Sequence, residues 1–350
     1  MKLLNKIVDY IFQYLMSRKL NVYKVALSLI SFGLFLFGTG SFDIESKEFL
    51  FRYDNSSSIV EYSVGILLVI SGLILIFKKN IEDSRIASHR ENYLYYISDK
   101  ALDSKDSFNK SFLPEEGRTN LSRTERKIDT YKKEDVIASY INDRSFEIKP
   151  RSKNKNVENT FIAGLGSFPH LYLMGSHFGS AYDSNIEVLD FDRKKQVWHI
   201  LPNVGTNIKY KVNFEDIEVN KKVDSLKYNG KAEVGIAISN SFTIEKNSVP
   251  QDLVDDTLFL VLDDNIGINS VDGLISQNSL LEQLTNIMGE LSNTKDKIHL
   301  FVAARASFCI RFGTHYMPKT HPTIVLHNYN KDTKQRDWSI ELKDGNIIKG

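Results

Sequence analysis

The sequence predicts an α/β fold with a mainly parallel sheet, preceded by a hairpin of two membrane-spanning helices. Three observations predict it. Two uncharged apolar runs, Val25–Phe42 and Tyr62–Phe77, lie close together near the start of the chain. From residue 160 onward, short apolar β-rich runs alternate with helical patterns. Those runs are continuously apolar rather than alternating, as strands buried on both faces require.

Composition sets the outer bounds. The chain has 350 residues, 42% hydrophobic and 25% charged, with a formal net charge of +1. This excludes a disordered or collagen-like chain. It also lacks the basic excess of a nucleic-acid-binding protein, so no nucleic acid polymer is expected as a partner. A single cysteine, Cys309, precludes an intrachain disulfide or a cysteine zinc site, and no metal or cofactor is expected.

Residues 1–22 place Leu4, Val8, Ile11, Phe12 and Leu15 at helical spacing, the pattern of an amphipathic helix lying on a membrane surface. Residues 23–80 hold the hairpin, with spans at about 25–42 and 59–77. Lys2, Lys6, Arg18, Lys19 and Lys24 precede the first span, and Lys78 and Lys79 close the second. The loop between carries Asp43, Glu45, Glu48 and Asp54 against Lys47 and Arg52, so both termini are expected in the cytoplasm, with the hairpin in a bacterial inner membrane. Gly33, Gly38, Gly40, Gly65, Ser71 and Gly72 are candidates for close helix packing in lipid, and Glu61 for a pore-lining or interfacial carboxylate.

Residues 81–156 are polar and charge-rich apart from YLYYIS (93–98) and DVIASYI (135–141), which reads as a helical stalk followed by irregular connections. RSKNKNVEN (151–159) reads as an exposed loop. The domain of interest is placed at 157–350. Its strands are HLYLM (170–174), NIEVLDF (185–191), EVGIAI (233–238), TLFLVL (257–262), KIHLFVAA (297–304) and TIVLHNY (323–329). Between the last two and TLFLVL, residues 279–295 place Leu280, Leu281, Leu284, Ile287, Met288 and Leu291 on one helical face.

An internal echo runs through this region. His170-Leu171-Tyr172-Leu173, Gly175-Ser176-His177, then Trp198 is answered by His299-Leu300-Phe301-Val302, Arg305-Ala306-Ser307, then Trp338. It predicts two Rossmann-like halves in tandem, with ligands beyond the C-terminal ends of their strands.

At PHLYLMGSHFGS (169–180), EVGIAISNS (233–241) and IHLFVAARASFCIRFGTHY (298–316) the chain resembles a SAVED domain, a fusion of two CARF-like halves. Two transmembrane helices ahead of such a domain resemble the two-TM SAVED effectors of CBASS anti-phage systems. The resemblance implies that a cognate nucleotidyltransferase makes a cyclic di- or trinucleotide. The SAVED domain binds that ligand and self-associates, and the effector damages or blocks its own cell. Where family segments often carry proline after the strand, this chain has Arg305-Ala306.

A cyclic oligonucleotide needs N–H or hydroxyl donors, a few cations and aromatic surfaces. Four turns offer them: Gly175, Ser176, His177 and Phe178; Ser239, Asn240, Ser241 and Phe242; Asp263 with Asp264; and Arg305 with Ser307. Ser and Asn at these places also suit helix N-caps. Trp198 and Trp338 read as packing, Cys309 as core, and His170 and His299 as core histidines within strands. Neither HExxH nor Walker A nor GxSxG occurs, so an enzyme is not expected. Three functions remain open: a ligand-gated membrane effector forming a pore from several hairpins, a membrane-anchored sensor or adaptor without a pore, and a membrane-tethered cyclic-nucleotide phosphodiesterase.

Overall fold

The computed structural model describes residues 22–38, 42–46, 49–53, 59–88, 91–100, 121–144, 157–179, 185–192, 194–195, 197–263, 266–267, 271–330 and 333–349. The amphipathic segment 1–22 (bar Val22), Gly40 and most of the 151–159 loop lie outside them. The chain divides into two compact units, Met1–Arg90 and Glu91–Gly350.

The first unit is a helical hairpin. Helix α1 (Val22–Gly38) is followed by an antiparallel strand pair, β1 (Phe42–Ser46) and β2 (Phe49–Tyr53), and by the long helix α2 (Ile59–Ser88). Gly33 and Gly72 let the helices touch: a Cβ on Gly33 would lie 2.8 Å from the Gly65 carbonyl oxygen, and one on Gly72 2.8 Å from that of Ala26. Glycine at such contacts lets two helix backbones approach closely. Val22, Ala26 and Leu75 are buried between them, whereas Leu27, Phe32, Leu34, Ile66, Leu67, Leu73 and Phe77 point outward.

Within α2, Ser63–Ile81 has a mean hydropathy of 2.0 and is long and apolar enough to cross a membrane; the apolar part of α1, Val22–Leu34, is shorter. Helix α1 stops at Gly38 rather than near residue 42, where β1 begins. Gly38 and Glu61 sit in α1 and α2, with side-chain environments outside the description.

The second unit holds two lobes. In lobe one, β3 (Glu91–Asp99), β4 (Leu121–Ile128), α3 (Lys133–Asn142), β5 (Val157–Leu165), α4 (Phe168–Ser176), β6 (Asn185–Asp192) and β7 (Val197–Ile200) form a five-stranded sheet ordered β4-β3-β5-β6-β7. A connection with β8 (Tyr210–Val212) and α5 (Val219–Lys227) leads to lobe two. There β9 (Glu233–Ser239), β10 (Thr257–Leu262), α6 (Leu274–Ser292), β11 (Lys297–Ala303), α7 (Ala306–Thr314), β12 (Thr323–His327), β13 (Ser339–Lys343) and β14 (Asn346–Lys349) follow. Its sheet is ordered β14-β13-β12-β11-β9-β10-β8.

Apart from the added β8 and β14, both sheets share one order: second, first, third, fourth, then an antiparallel fifth strand. The first four strands of each are mutually parallel. The tandem halves expected from the sequence are present, but with different boundaries and register.

Two expectations are corrected. Within 81–156 the described residues 91–99 and 121–128 are not stalk or irregular connection but strands of lobe one, and β3 is a buried inner strand of its sheet. Its tyrosines disguise it as polar, yet their hydroxyls are bonded inside: Tyr93 Oη donates to Thr124 Oγ1 at 2.8 Å, and Tyr95 Oη donates to Asp143. Strand β4 is an edge whose charges, LSRTERKI, suppress the apolar signal.

Second, HLYLM is not a strand but lies in α4. Pro169 sits in its first turn, where a missing N–H costs nothing. All nine residues of α4 are buried, so no amphipathic period marks it as a helix. The echo therefore shifts: β5 matches β11 through Phe161-Ile162-Ala163 and Phe301-Val302-Ala303. Met174-Gly175-Ser176-His177-Phe178 matches Phe312-Gly313-Thr314-His315-Tyr316.

The structure makes that match physical. Helices α4 and α7 cross at their glycines: a Cβ on Gly175 would overlap the Ile310 carbonyl, and one on Gly313 the Tyr172 carbonyl. Ile310 and Tyr172 each lie three residues before the glycine of their own helix, so the contact is reciprocal, as a pseudo-twofold axis demands. One continuous core runs through both lobes around this crossing, including Tyr172, Phe308, Phe312 and Tyr316.

Candidate functional site

The α4–α7 crossing brings the C-terminal ends of the two parallel sheets to a shared cleft of about 660 Å³. In an open parallel sheet the crevice forms where the chain leaves adjacent strands in opposite directions. In lobe two that point lies between β9 and β11, and in lobe one between β3 and β5. The cleft is lined by Leu165 at the end of β5, by Asp190, Phe191 and Asp192 at the end of β6, by Ser241 and Phe242 after β9, and by Ala304, Arg305 and Ala306 after β11. Lys194, His199 and Asp272 complete its polar wall.

Arg305 immediately precedes α7. Its guanidinium reaches across from lobe two to the Asp190 carboxylate of lobe one, in an ion pair whose side chains are 15% and 4% exposed. Burial in this degree makes such a pair sensitive to loss of either partner. Asp192 Oδ1 accepts the backbone N–H groups of Lys194 (2.9 Å) and Lys195 (3.1 Å), which, with the latter foremost, hold its carboxyl below the usual range. Phe242 stands at the rim with 52% of its surface exposed, large for an aromatic ring. Cation, carboxylates and an open ring supply phosphate binding, acceptors for base amines and a stacking face.

Of the sequence-predicted ligand residues, Ser241, Phe242 and Arg305 line this cleft. The others do not. Ser239 Oγ accepts the Ile244 N–H at 3.0 Å, and Asn240 Oδ1 accepts from Tyr210 Oη at 3.0 Å. The backbone N–H groups of Asn240 and Ser241 both go to the Ala303 carbonyl, tying the β9 turn to β11. Ser307 is fully buried and accepts from Gln277 Nε2 at 3.2 Å. Asp263 pairs with Lys211 at 3.8 Å and borders a separate, mostly polar cavity.

Gly175 and Ser176 end helix α4, and His177 and Phe178 follow it, so none of the four follows a strand. Gly175 makes the helix crossing, Ser176 Oγ donates to the Leu173 carbonyl at 2.8 Å, and Phe178 packs edge-on to Tyr95. The His177 ring stacks on Tyr140 at 4.4 Å; desolvation, then the nearby Arg144 charge, lower its pKa to about 3.

Trp198 is buried against Tyr96 and Phe191, and Trp338 Nε1 donates to the Tyr131 carbonyl at 2.9 Å. Cys309 is buried in α7, and burial pushes its thiol up to about 12. His170 lies in α4 and His299 in β11, so they occupy unmatched places. His299 instead contacts His327 at 2.9 Å and Glu233 at 3.0 Å. Among the described residues no cluster of three or more His, Cys, Asp or Glu suits a metal ion.

Sequence reasoning missed Asp190, Asp192, Lys194, His199 and Asp272. The signal for the first two was available: NIEVLDFD ends in carboxylates at the C-terminal end of a parallel strand, where ligands bind.

A family model, the SMODS-associated and fused to various effectors sensor domain (SAVED), matches residues 143–342, more than half of the chain. The chain belongs to the SAVED family. The match begins within lobe one and leaves out β3 and β4, which the structure shows to be part of the same fold. No curated protein matches the chain by sequence.

Similar solved structures include the Acinetobacter baumannii Cap4 SAVED/CARF-domain containing receptor with the cyclic trinucleotide 2'3'3'-cAAA, at 13% identity, 82% of this chain and TM-score 0.46. The same receptor with 3'3'3'-cAAA matches at 12% identity, 82% coverage and TM-score 0.47. The Moraxella osloensis Cap4 receptor matches at 13%, 81% and 0.44. This SAVED chain spans 58% of the length of each of these receptors.

Proposed function

We propose that this SAVED protein is the membrane effector of a cyclic-oligonucleotide anti-phage system of the CBASS type. The observation that carries the reading is the cleft at the C-terminal strand ends of both lobes, with Arg305 and Phe242 at its mouth. A cyclic di- or trinucleotide, supplied by a cognate nucleotidyltransferase, binds there. Its phosphate displaces Asp190 from Arg305, and a base stacks on Phe242. The released carboxylate is then free to accept a base amine. The chain acts as a sensor and not as an enzyme, without metal or cofactor.

In this reading the first unit is a two-span hairpin in the bacterial inner membrane, with both chain termini cytoplasmic. Outward-facing Leu27, Phe32, Leu34, Leu67, Leu73 and Phe77 support lipid contact on both helices. One hairpin cannot enclose water, since packed helices lie about 8–10 Å apart. Ligand-driven self-association therefore gathers several hairpins into a pore or a bilayer defect, and the cell dies before the phage is released.

The test is the full chain in liposomes loaded with a self-quenched dye. Cyclic triadenylate, in both linkages named above, and a panel of cyclic dinucleotides are added. Ligand-dependent leakage, abolished by Arg305→Ala, is the expected result. Binding without leakage reduces the protein to a membrane-anchored sensor, and absence of binding across the panel overturns the reading.

A further inference from the structure

Beside the cleft, lobe two holds a cation that the ligand reading above does not use. Arg336 lies in the connection from β12 to β13, at the C-terminal end of the same sheet. Its guanidinium carbon is 5.0 Å from the centroid of the Tyr329 ring and 5.5 Å from that of Phe301. The aromatic faces attract the charge but offer no hydrogen-bond acceptor in the plane of the fork. Nε and Nη1 are both buried and have no hydrogen-bond partner among the described residues.

The described carboxylates next to Arg336 in sequence and around His299 in the same sheet are engaged elsewhere. Asp337 accepts from Asn328 Nδ2 at 2.8 Å and from Asn330 Nδ2 at 3.2 Å. Glu233 faces His299 and Lys297, and Glu341 faces Lys297. The adjoining His327 is held neutral: burial, then His299 and Arg336, lower its pKa to about 3. Burial lowers Arg336 itself only to about 10, so it stays charged at neutral pH.

A guanidinium with two buried donors unfilled and no carboxylate paired to it among the described residues is a strong anion site, because desolvation of an unpaired charge is costly. Tyr329 connects it to the cleft, its ring centroid 6.3 Å from that of the exposed Phe242. We infer that Arg336 is a second phosphate-binding residue, clamping one phosphate of the cleft's ligand through Nε and Nη1 while Tyr329 and Phe242 form a continuous stacking wall. The assignment rests on the proposed ligand class for its oligonucleotide part, but not for the phosphate itself. Two cations, Arg305 at the α7 start and Arg336 beyond the aromatic row, then require a ligand with at least two separated phosphates.

The experiment uses the full chain in detergent, with inorganic phosphate and cyclic triadenylate as separate probes at constant ionic strength. In chloride buffer Arg336→Met, which keeps the apolar stem against Tyr329 and Phe301, should unfold at the wild-type temperature or above it, since relief of the desolvated charge outweighs the lost cation–π contacts and no hydrogen bond through Nε or Nη1 is lost. Phosphate should raise the unfolding temperature of the wild type and not that of R336M. Affinity for cyclic triadenylate should fall at least tenfold in R336M and partly recover in Arg336→Lys.

If R336M melts lower in chloride and binds both probes like the wild type, Arg336 is only a packing cation and the inference is overturned. If cyclic triadenylate fails to bind the wild type while phosphate still acts through Arg336, the anion site stands and the choice of oligonucleotide falls. Cyclic triadenylate binding equally to wild type and R336M, but not to Arg305→Ala, sinks the inference and leaves the cleft reading intact.

Discussion

The two lobes repeat one topology, yet their strand ends differ. In lobe one the crevice is sealed from within. Asp99, at the end of β3, accepts from both the backbone N–H and the hydroxyl of Thr130, each at 2.7 Å. Thr130 Oγ1 in turn accepts the N–H of Ser167, which precedes α4, at 3.0 Å. All three residues are buried. In lobe two the start of α7 is not sealed in this way, and Arg305 and Ala306 face the cleft. Duplication thus yields one lobe whose first crevice is closed by its own polar groups and one whose Arg305 is held at the cleft by the other lobe's Asp190. A buried network so satisfied rigidifies the strand ends it joins.

The strongest attack on the comparison is at its axis. Gly175→Val and Gly313→Val should each cost about 3 kcal/mol or more, because the new side chain must displace a backbone carbonyl of the facing helix. Chemical denaturation should show the two losses to be similar; a large effect at one and none at the other would dismiss the pseudo-twofold.

Next, Asp99→Ala strands two buried Thr130 donors and should cost about 2–3 kcal/mol of stability while leaving ligand affinity alone. Phe242→Ala should do the reverse: stability nearly unchanged, and binding of a stacked base weakened by about 1–3 kcal/mol. Calorimetry of both variants with cyclic triadenylate separates the roles, and a crossed result would erase the distinction between lobes.

The smallest effect is a pH slope shared by both lobes. Desolvation, its largest cause, lowers buried His170 to about 4, and buried His327 is lowered to about 3, from 6.5. The unfolded chain takes up these protons first, so stability present above pH 6.5 declines as pH falls toward 3–4. Each histidine adds up to about 1.4 kcal/mol per pH unit in that window. Melting temperatures between pH 7 and 5 should fall less steeply in His170→Gln and His327→Gln; unchanged slopes would mean that neither ring is held neutral.

Lobe two was far more legible than lobe one. EVGIAI, TLFLVL and KIHLFVAA are continuously apolar because both faces of their sheet are covered, and they read as strands without help. Lobe one hides an inner strand, β3, behind tyrosines whose hydroxyls find partners only after folding, and its edge strand behind surface charges. Its helix α4 is buried all round, which removes the period by which a helix is known from a strand. The cleft followed the same division. Ser241, Phe242 and Arg305 were foreseen because they follow lobe two's legible strands, whereas the facing Asp190 and Asp192 belong to lobe one.

The amino-acid order alone determined two uncharged apolar runs near the start of the chain and an alternation of strands and helices behind them. These follow from local composition and period, which hydrophobic burial acts upon directly. Only the tertiary structure decided which glycines meet, which hydroxyls are consumed, and that Arg305 faces an aspartate 115 residues away. Such pairings are made by the crossing of α4 and α7, and no stretch of neighbouring residues carries the distance between two lobes.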